Sequence, residues 1–365
     1  MTTINIGVDL HKHQFTCYFL CKSEGRFFKY GTTKEGYDLF KKDLLKAKEA
    51  GFELKVAVES TGNTRYFKNE IEKLGIKIVI VNTLKFKVVN ESVNKTDKRD
   101  SRTITEFLSK EMLPEVKLSS EKSEKLKRLL SIRNILVGTK AKLKNQIHGM
   151  LLSFGIESKR GQLNSKKGRK LVIERIIDLE NRTIIEILVN NIDKLEERIK
   201  EIAVQLEKMS EKDRVVEILK SIPGTGSITA ISVRAYIDDI KRFKEYGKLS
   251  SYCGLVPVVK SSDEKVYYGA ITKRGPKELR TVIIQMVLGM IRCKEEKDNR
   301  FMIAYRNIKR TKGSGKALVA VSRKFTKLIW TLLSNDFEYD KEKLKSLSGE
   351  TQLEVTEVEV TKKVA

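Results

Sequence analysis

The chain has 365 residues, 40% of them hydrophobic and only 4 of them proline, which leaves room for about two domains with sizeable cores and excludes a disordered chain. Against 48 Asp and Glu stand 73 Lys and Arg, a formal net charge of +25, so a polyanionic partner is the leading expectation. No apolar run approaches the ~18 residues of a membrane-spanning helix, and the opening MTTINIGVDL lacks the basic start and apolar stretch of a secretory signal.

In chain order, INIGVDL and TCYFLC read as strands, and FFKYGT follows them after a turn at Ser23–Gly25. Residues 37–50 carry a helical period, LKVAVES reads as a buried strand, 66–74 as a helix and IKIVIVN as a further strand. Three strands, a helix, a strand, a helix and a strand predict a mixed sheet flanked by helices, an α/β domain over residues 1–113. Cys17 and Cys21 here, like Cys253 and Cys293 further on, lack C-x-x-C spacing; reduced thiols in a cytoplasmic protein are expected.

Residues 114–214 read as helical. Ile185, Leu188, Ile192, Leu195, Ile199, Ile202, Leu206 and Met209 are spaced alternately by three and four, an a/d seam sustained for more than three heptads. Leu126, Leu129, Leu136, Leu143, Ile147, Met150 and Phe154 keep a similar register, interrupted by Arg133 and Lys140. An intramolecular hairpin and a coiled coil between two copies both satisfy this pattern. Between the seams lies SKRGQLNSKKGRK, expected to be a loop that meets nucleic acid through Lys166, Lys167, Arg169 and Lys170. Residues 140–170 hold nine basic residues against a single Glu. Residues 215–335 read as a last, mainly helical domain, with 24 basic and 10 acidic residues over 216–335. The acidic tail 336–365 is expected to be poorly ordered.

The residues richest in chemistry are acids inside this basic chain. Asp9 follows INIGV and Glu59 follows KVAV, so two predicted strands each finish on a carboxylate. Asp97 and Asp100, in NKTDKRDSRT, share one helical face across a three-residue gap. Converging carboxylates hold hard divalent ions such as Mg²⁺ or Mn²⁺, and a pair of such ions stabilises the entering and leaving oxygens of a phosphodiester. Taken one at a time, the same acids also fit turn caps and solvated charge. His11 and His13 read more simply as solvated strand-end residues than as ligands.

The C-terminal domain carries two further signals. Leu219, Ile222, Gly224, Gly226 and Ala230 form an L-x-x-I-P-G-x-G-x-x-x-A pattern like a helix-hairpin-helix turn. Its glycines permit a tight bend, and the next helix offers backbone N–H groups to a phosphate; a plain turn satisfies the pattern as well. Ser261 and Ser262 lie in a polar stretch with Lys260, Lys265, Lys273 and Arg274 close by in sequence. A serine hydroxyl attacks a phosphodiester when its proton is removed and cations stabilise the developing charge, though serine is equally a turn former.

The order and wording of these motifs resemble a known family. GVDLHKH, VAVESTGN and NKTDKRDS resemble the DEDD motifs of the IS110 family of bacterial insertion-sequence transposases. IPGTGSITA, YCGLVP, Ser261–Ser262, GAITKRGPKELR and GSGKALVAVSRKF resemble that family's second, transposase domain, so the likeness runs from about Ile4 to about Leu333. It implies a ribonuclease H-like (RuvC-like) N-terminal domain, related to Holliday-junction resolvases, and a mainly α-helical C-terminal transposase domain on either side of the central coiled-coil helices. It further implies that Asp9, Glu59, Asp97 and Asp100 bind Mg²⁺ (or Mn²⁺). The family's nucleophilic serine follows the GLVP-like motif by five residues, which from Pro257 is Ser262; its attack on the scissile phosphate would leave a phosphoserine–DNA intermediate. Glycine usually follows that serine, whereas Asp263 stands here, which keeps Ser261 as the alternative nucleophile.

The partners implied by the resemblance are donor and target DNA, a structured guide RNA encoded by the element, and further copies of the chain, a dimer and then a tetramer in the synapse. The implied setting is the bacterial cytoplasm, at the nucleoid and away from membranes. Two rivals stand beside this reading. One is a metal-dependent Holliday-junction resolvase or nuclease that uses the same carboxylates to activate water. The other is a non-catalytic nucleic-acid-binding protein.

Overall fold

The structure, a computed structural model, describes residues 2–83, 85–86, 96–262, 265–293 and 299–340. By packing, the chain falls into two units, 1–119 and 120–365. In the first, β1 (Thr3–Leu10), β2 (Gln14–Cys21), β3 (Glu24–Gly31), β4 (Glu53–Glu59) and β5 (Ile78–Val81) form one sheet of order β3-β2-β1-β4-β5. The first three strands are an antiparallel meander. β4 and β5 run parallel with β1 and are reached through α1 (Lys34–Glu49) and α2 (Thr64–Glu72). This is the element order expected of a ribonuclease H-like domain.

Alternation along the strands explains the layers. Ile6, Val8 and Leu10 of β1 and Val56 and Val58 of β4 pack on one face with Phe15, Tyr37, Phe40, Leu44, Phe67 and Ile71. The intervening residues Gly7, Asp9, Ala57 and Glu59 belong to the opposite face, which α3 (Asp97–Ser109) covers with Ile104 and Leu108 against Ala57 and Val81. Gly7 lets α3 close on the sheet: a Cβ there would overlap Ser101 O and Thr105 Oγ1. Its N–H donates to Thr105 Oγ1 at 2.7 Å.

In the second unit, α4 (Glu121–Ser153) and α6 (Leu179–Met209) pack antiparallel. Leu126 and Leu130 meet Leu206 at one end, and Ile147 and Leu151 meet Ile185, Val189 and Ile192 at the other. The heptad seam of α6 thus faces α4 within the same chain. The base of this hairpin is continuous with the C-terminal helices, because Leu126, Leu130 and Leu206 share a core with Leu219, Ile283, Phe325 and Ile329. The stretch expected as a basic loop is largely structured. A 3₁₀ turn covers Gln162–Asn164 and α5 covers Lys166–Glu174, capped by Ser165, whose Oγ accepts from Gly168 N–H at 3.0 Å. Leu163, Val172 and Ile176 drop into the hairpin's core, an apolar spacing that the Gly, Ser and Lys content masks in the sequence.

The chain continues through α7 (Arg214–Ser221), α8 (Ser227–Ile237), α9 (Tyr246–Tyr252), β6 (Pro257–Ser262), β7 (Lys265–Ile271), α10 (Lys277–Arg292), α11 (Arg300–Lys312) and α12 (Ser314–Ser334). β6 and β7 form an antiparallel hairpin, so Ser261 and Ser262 end a strand, paired with Val266 and Lys265. Past α12 the first residues of the acidic tail are anchored: Phe337 and Tyr339 pack on the core, and Arg214 pairs with Asp336 and Glu338. Residues 341–365, most of the tail predicted to be poorly ordered, lie outside the described residues. Among the described residues no helix is long and apolar enough to cross a membrane, and the four cysteines are free thiols.

Candidate active site

β1 and β4 end side by side, Val8 opposite Val58, so Asp9 and Glu59 stand one residue beyond the last parallel pair on neighbouring strands. Their alternation with the core residues Val8 and Val58 puts both on the α3 side of the sheet. α3 contributes Asp97 and Asp100 from its first turn, where the helix dipole favours negative charge. Thr96 caps that turn, its Oγ1 accepting from Arg99 N–H at 3.3 Å.

Asp9 is 5% exposed. His11 Nε2–H donates to Asp9 Oδ2 at 3.0 Å and lies 3.3 Å from Asp97 Oδ1. One ligand atom from each of Asp9, His11 and Asp97 falls within 4.8 Å of the others, the only such group of three found among the described residues; Glu59 and Asp100 stand outside it. Burial pushes the Asp9 carboxyl up from its ordinary value of 3.8 to about 6; His11 pulls against this, while the charges of Asp97 and Asp100 push the same way as burial. Burial disfavours the His11 imidazolium, but Asp9 and then Asp97 outweigh it, and the His11 pKa is raised. The donor set is a hard one, carboxylate oxygens with one imidazole nitrogen, the kind that suits a divalent cation.

Three participants, His11, Asn63 and Thr64, escape the sequence reading. His11, which the sequence presents as a solvated strand-end residue, bridges Asp9 and Asp97. Asn63 Nδ2 donates to His11 O at 3.1 Å, and Thr64 Oγ1 donates to Glu59 O at 2.9 Å while accepting from Thr61 N–H at 2.7 Å. The polar run Ser-Thr-Gly-Asn-Thr directly after Glu59 therefore clamps the end of β4, through Thr64, and the turn after β1, through Asn63. Its capping residues in front of a helix were the available signal.

The remaining predicted residues lie in the second unit. Gly224 adopts φ +78 in the turn between α7 and α8, and a Cβ there would overlap the backbone of Gly289 in α10. Gly226 caps α8 and offers no side-chain acceptor to the first N–H groups of that helix. Lys273 and Arg274 are exposed in the connection from β7 to α10. Lys166, Lys167 and Lys170 are exposed on α5, but Arg169 is not: it is 1% exposed, pairs with Asp193 and Glu196, and donates to Leu163 O at 2.9 Å. The expected nucleic-acid contact at Arg169 is corrected accordingly. Its place on the inner face of α5 commits the planar guanidinium to carboxylates of α6, a geometry that lysine would not supply. Asp263 lies outside the described residues, which give the backbone alone for Ser261 and Ser262.

Residues 6–156 match the family model for DEDD transposases of IS110 type, and residues 216–302 match that of the transposase IS116/IS110/IS902 family; together the matches cover well over half of the chain. All four acids fall in the first match and Ser262 in the second. The transposase for insertion sequence element IS1111A of Coxiella burnetii is 27% identical over 287 residues, 78% of this chain and 79% of that protein. A probable family 20 transposase of Pseudomonas aeruginosa is 24% identical over 354 residues, 93% of this chain and 99% of that one. The transposase for insertion sequence element IS1328 of Yersinia enterocolitica is 27% identical over 285 residues, 77% of this chain and 81% of its own.

Proposed function

Because the chain belongs to the IS110 family of insertion-sequence transposases, enzymes that cut and rejoin DNA, we propose that it exchanges strands between donor and target DNA through a phosphoserine intermediate. In this reading Asp9, Glu59, Asp97 and Asp100 hold Mg²⁺ (or Mn²⁺) and Ser262 is the nucleophile, with Ser261 the alternative. The observation that carries the metal half is the convergence of Asp9 and Asp97 around His11 on one face of the sheet, with Asp9 raised to about 6. A bound divalent cation would offset the burial of the Asp9 charge and, to a lesser degree, its repulsion from Asp97 and Asp100. When bound, such an ion supplies charge neutralisation at the scissile phosphate.

The chain's own residues do the rest. Asn63 and Thr64 tie the backbone beyond β1 and at the end of β4 to the start of α2, through His11 O and Glu59 O, and so fix the strand ends that carry Asp9 and Glu59. Ser262 Oγ attacks phosphorus and gives up its proton, the departing strand oxygen takes one, and the serine ester preserves the bond energy for attack by the incoming hydroxyl. Lys273 and Arg274 balance charge on the non-bridging oxygens. The Gly224–Gly226 turn, as the helix-hairpin-helix-like element, and Lys166, Lys167 and Lys170 meet backbone phosphates, which position the duplex without reading it. Base pairing by the element's guide RNA supplies the choice of sequence. Ile132 and Ile135 of α4 and Val204 of α6 stay exposed along the hairpin, which supports assembly of copies into a dimer and, in the synapse, a tetramer. The place of action is the nucleoid, in the cytoplasm.

The test is strand exchange with labelled donor and target DNA, Mg²⁺ and the RNA transcribed from the element. Joined product is expected, with its loss in chelator and in Asp9→Asn. Free cleaved ends that persist in Ser262→Ala would replace this reading with the metal-dependent resolvase. Binding without cleavage under every condition would leave a non-catalytic binder.

A further inference from the structure

The edge strand β3 leaves Phe27 39% exposed, although Phe15, Phe40 and Phe67 of the same unit are fully buried. Phe27 sits opposite Tyr18 of β2, their ring centres 4.5 Å apart. Gly25 makes room for the tyrosine, since a Cβ there would overlap its hydroxyl. Cations from α3 stand over both rings: Lys98 Nζ is 5.8 Å from the Phe27 centroid and the Arg102 guanidinium 5.8 Å from that of Tyr18. Arg99 lines the same groove, of about 550 Å³, between β3 and α3. A neighbouring hollow shares Phe27, Thr96 and Lys98 with it and extends to Asp97, and so to the carboxylate cluster.

An exposed ring ringed by cations suits an occupant with flat apolar faces and negative charge. A protein helix has neither property at this density, whereas a nucleotide has both: its base stacks on an aromatic ring and its phosphates pair with Lys and Arg. A base inside a duplex already stacks on its neighbours and shows only its edges, so the occupant must be unpaired. The strand that reaches Asp97 is the one to be cut, which favours DNA over RNA.

We propose that Phe27 is a stacking platform for one unpaired base of the DNA strand processed at the Asp9–Asp97 cluster, with Lys98 and Arg99 on the flanking phosphates. The inference rests on the strand-exchange reading and adds to it that one base of the opened strand is held unpaired on Phe27 beside the acids.

Binding of a duplex, and of the same duplex with a central unpaired bubble, to the full chain with Ca²⁺ in place of Mg²⁺ tests it. Wild type should prefer the bubble. Phe27→Ala should weaken bubble binding roughly five- to 150-fold, as for loss of one base–aromatic stack, and leave duplex binding unchanged. Phe27→Trp should retain the preference. Since the chain has a single tryptophan, Trp330, quenching of the added one by the bubble and not by the duplex would report stacking directly and keep a folding defect out of the argument. Undiminished bubble preference in Phe27→Ala, or full preference in Phe27→Leu, would overturn the platform. Loss confined to single-stranded RNA would assign it to RNA and overturn the DNA assignment. A wild-type chain that exchanges strands with Phe27→Ala just as active removes the platform alone; one that binds neither DNA removes the strand-exchange reading with it.

Discussion

Replacing Asp9 by Asn removes a buried negative charge that the metal-free fold carries at a cost. The carboxyl titrates at about 6 in the folded protein against an ordinary value of 3.8, a rise of about two units. At ~1.4 kcal/mol per unit, the ionised group destabilises the metal-free protein above pH 7 by up to about 3 kcal/mol. The folded state binds this proton more tightly than the unfolded one, so the stabilising contribution is complete below pH 3.8 and is lost as pH rises through about 6. His11 acts in the same sense: its raised pKa adds stability in acid that disappears as pH rises past its folded value, and its half-exposed ring keeps that part small. Asn keeps the shape and a hydrogen-bonding oxygen. Asp9→Asn should therefore raise metal-free stability by about 1–3 kcal/mol at pH 8, a gain that shrinks as pH falls toward 4. Amide exchange in β1 and β4, followed in chelator at both pH values, measures the difference in this unit. Mg²⁺ should then protect wild type and leave the variant unchanged. A variant less stable than wild type at pH 8 without metal, or equally protected by Mg²⁺, would refute the reasoning.

Gly7→Ala drives a methyl group into Ser101 and Thr105 of α3 and strains the Gly7–Thr105 hydrogen bond. Calorimetry should show about 2–4 kcal/mol of lost stability, together with weaker Mg²⁺ protection because Asp97 moves with α3. Gly224→Ala meets both a left-handed φ and the Gly289 backbone, and should cost about 2 kcal/mol or more; Gly226→Ala, with nothing within 4 Å, should stay within about 1 kcal/mol in the same urea titration. Arg169→Met removes the guanidinium that pairs with Asp193 and Glu196, while Glu196 keeps Lys140 at 3.4 Å, so about 2 kcal/mol of stability should go while the salt dependence of DNA binding holds. Lys167→Ala should do the reverse, lowering the log–log salt slope by about one at unchanged melting temperature, as read by fluorescence anisotropy.

The first unit is legible in sequence because each of its strands has to satisfy a buried face: INIGVDL and LKVAVES alternate or run apolar, and a carboxylate at the end of such a run stands out. The same logic fails where a side chain's partner comes from elsewhere in the chain. His11 is two residues from Asp9, but only the turn between β1 and β2 and the arrival of α3 make it a bridge to Asp97. Arg169 sits among lysines of identical charge, and nothing local tells that α5 turns it toward Asp193 and Glu196. The heptad seam specifies that α6 needs an apolar partner without naming it; α4 of the same chain supplies one. Ser261 and Ser262 read as a loop because β6 and β7 form a two-stranded ribbon with Val259, Tyr267 and Tyr268 exposed, and a strand with no core to cover shows no alternation.

The most direct measurement of the central claim is a denaturing gel of the reaction with Mg²⁺, the element's RNA and labelled DNA, followed by peptide mapping of any protein–DNA adduct. Wild type should yield an adduct on Ser262 that Ser262→Ala abolishes and Ser261→Ala retains. Cleavage with no adduct would contradict the serine mechanism, and an adduct lost only in Ser261→Ala would move the nucleophile by one residue.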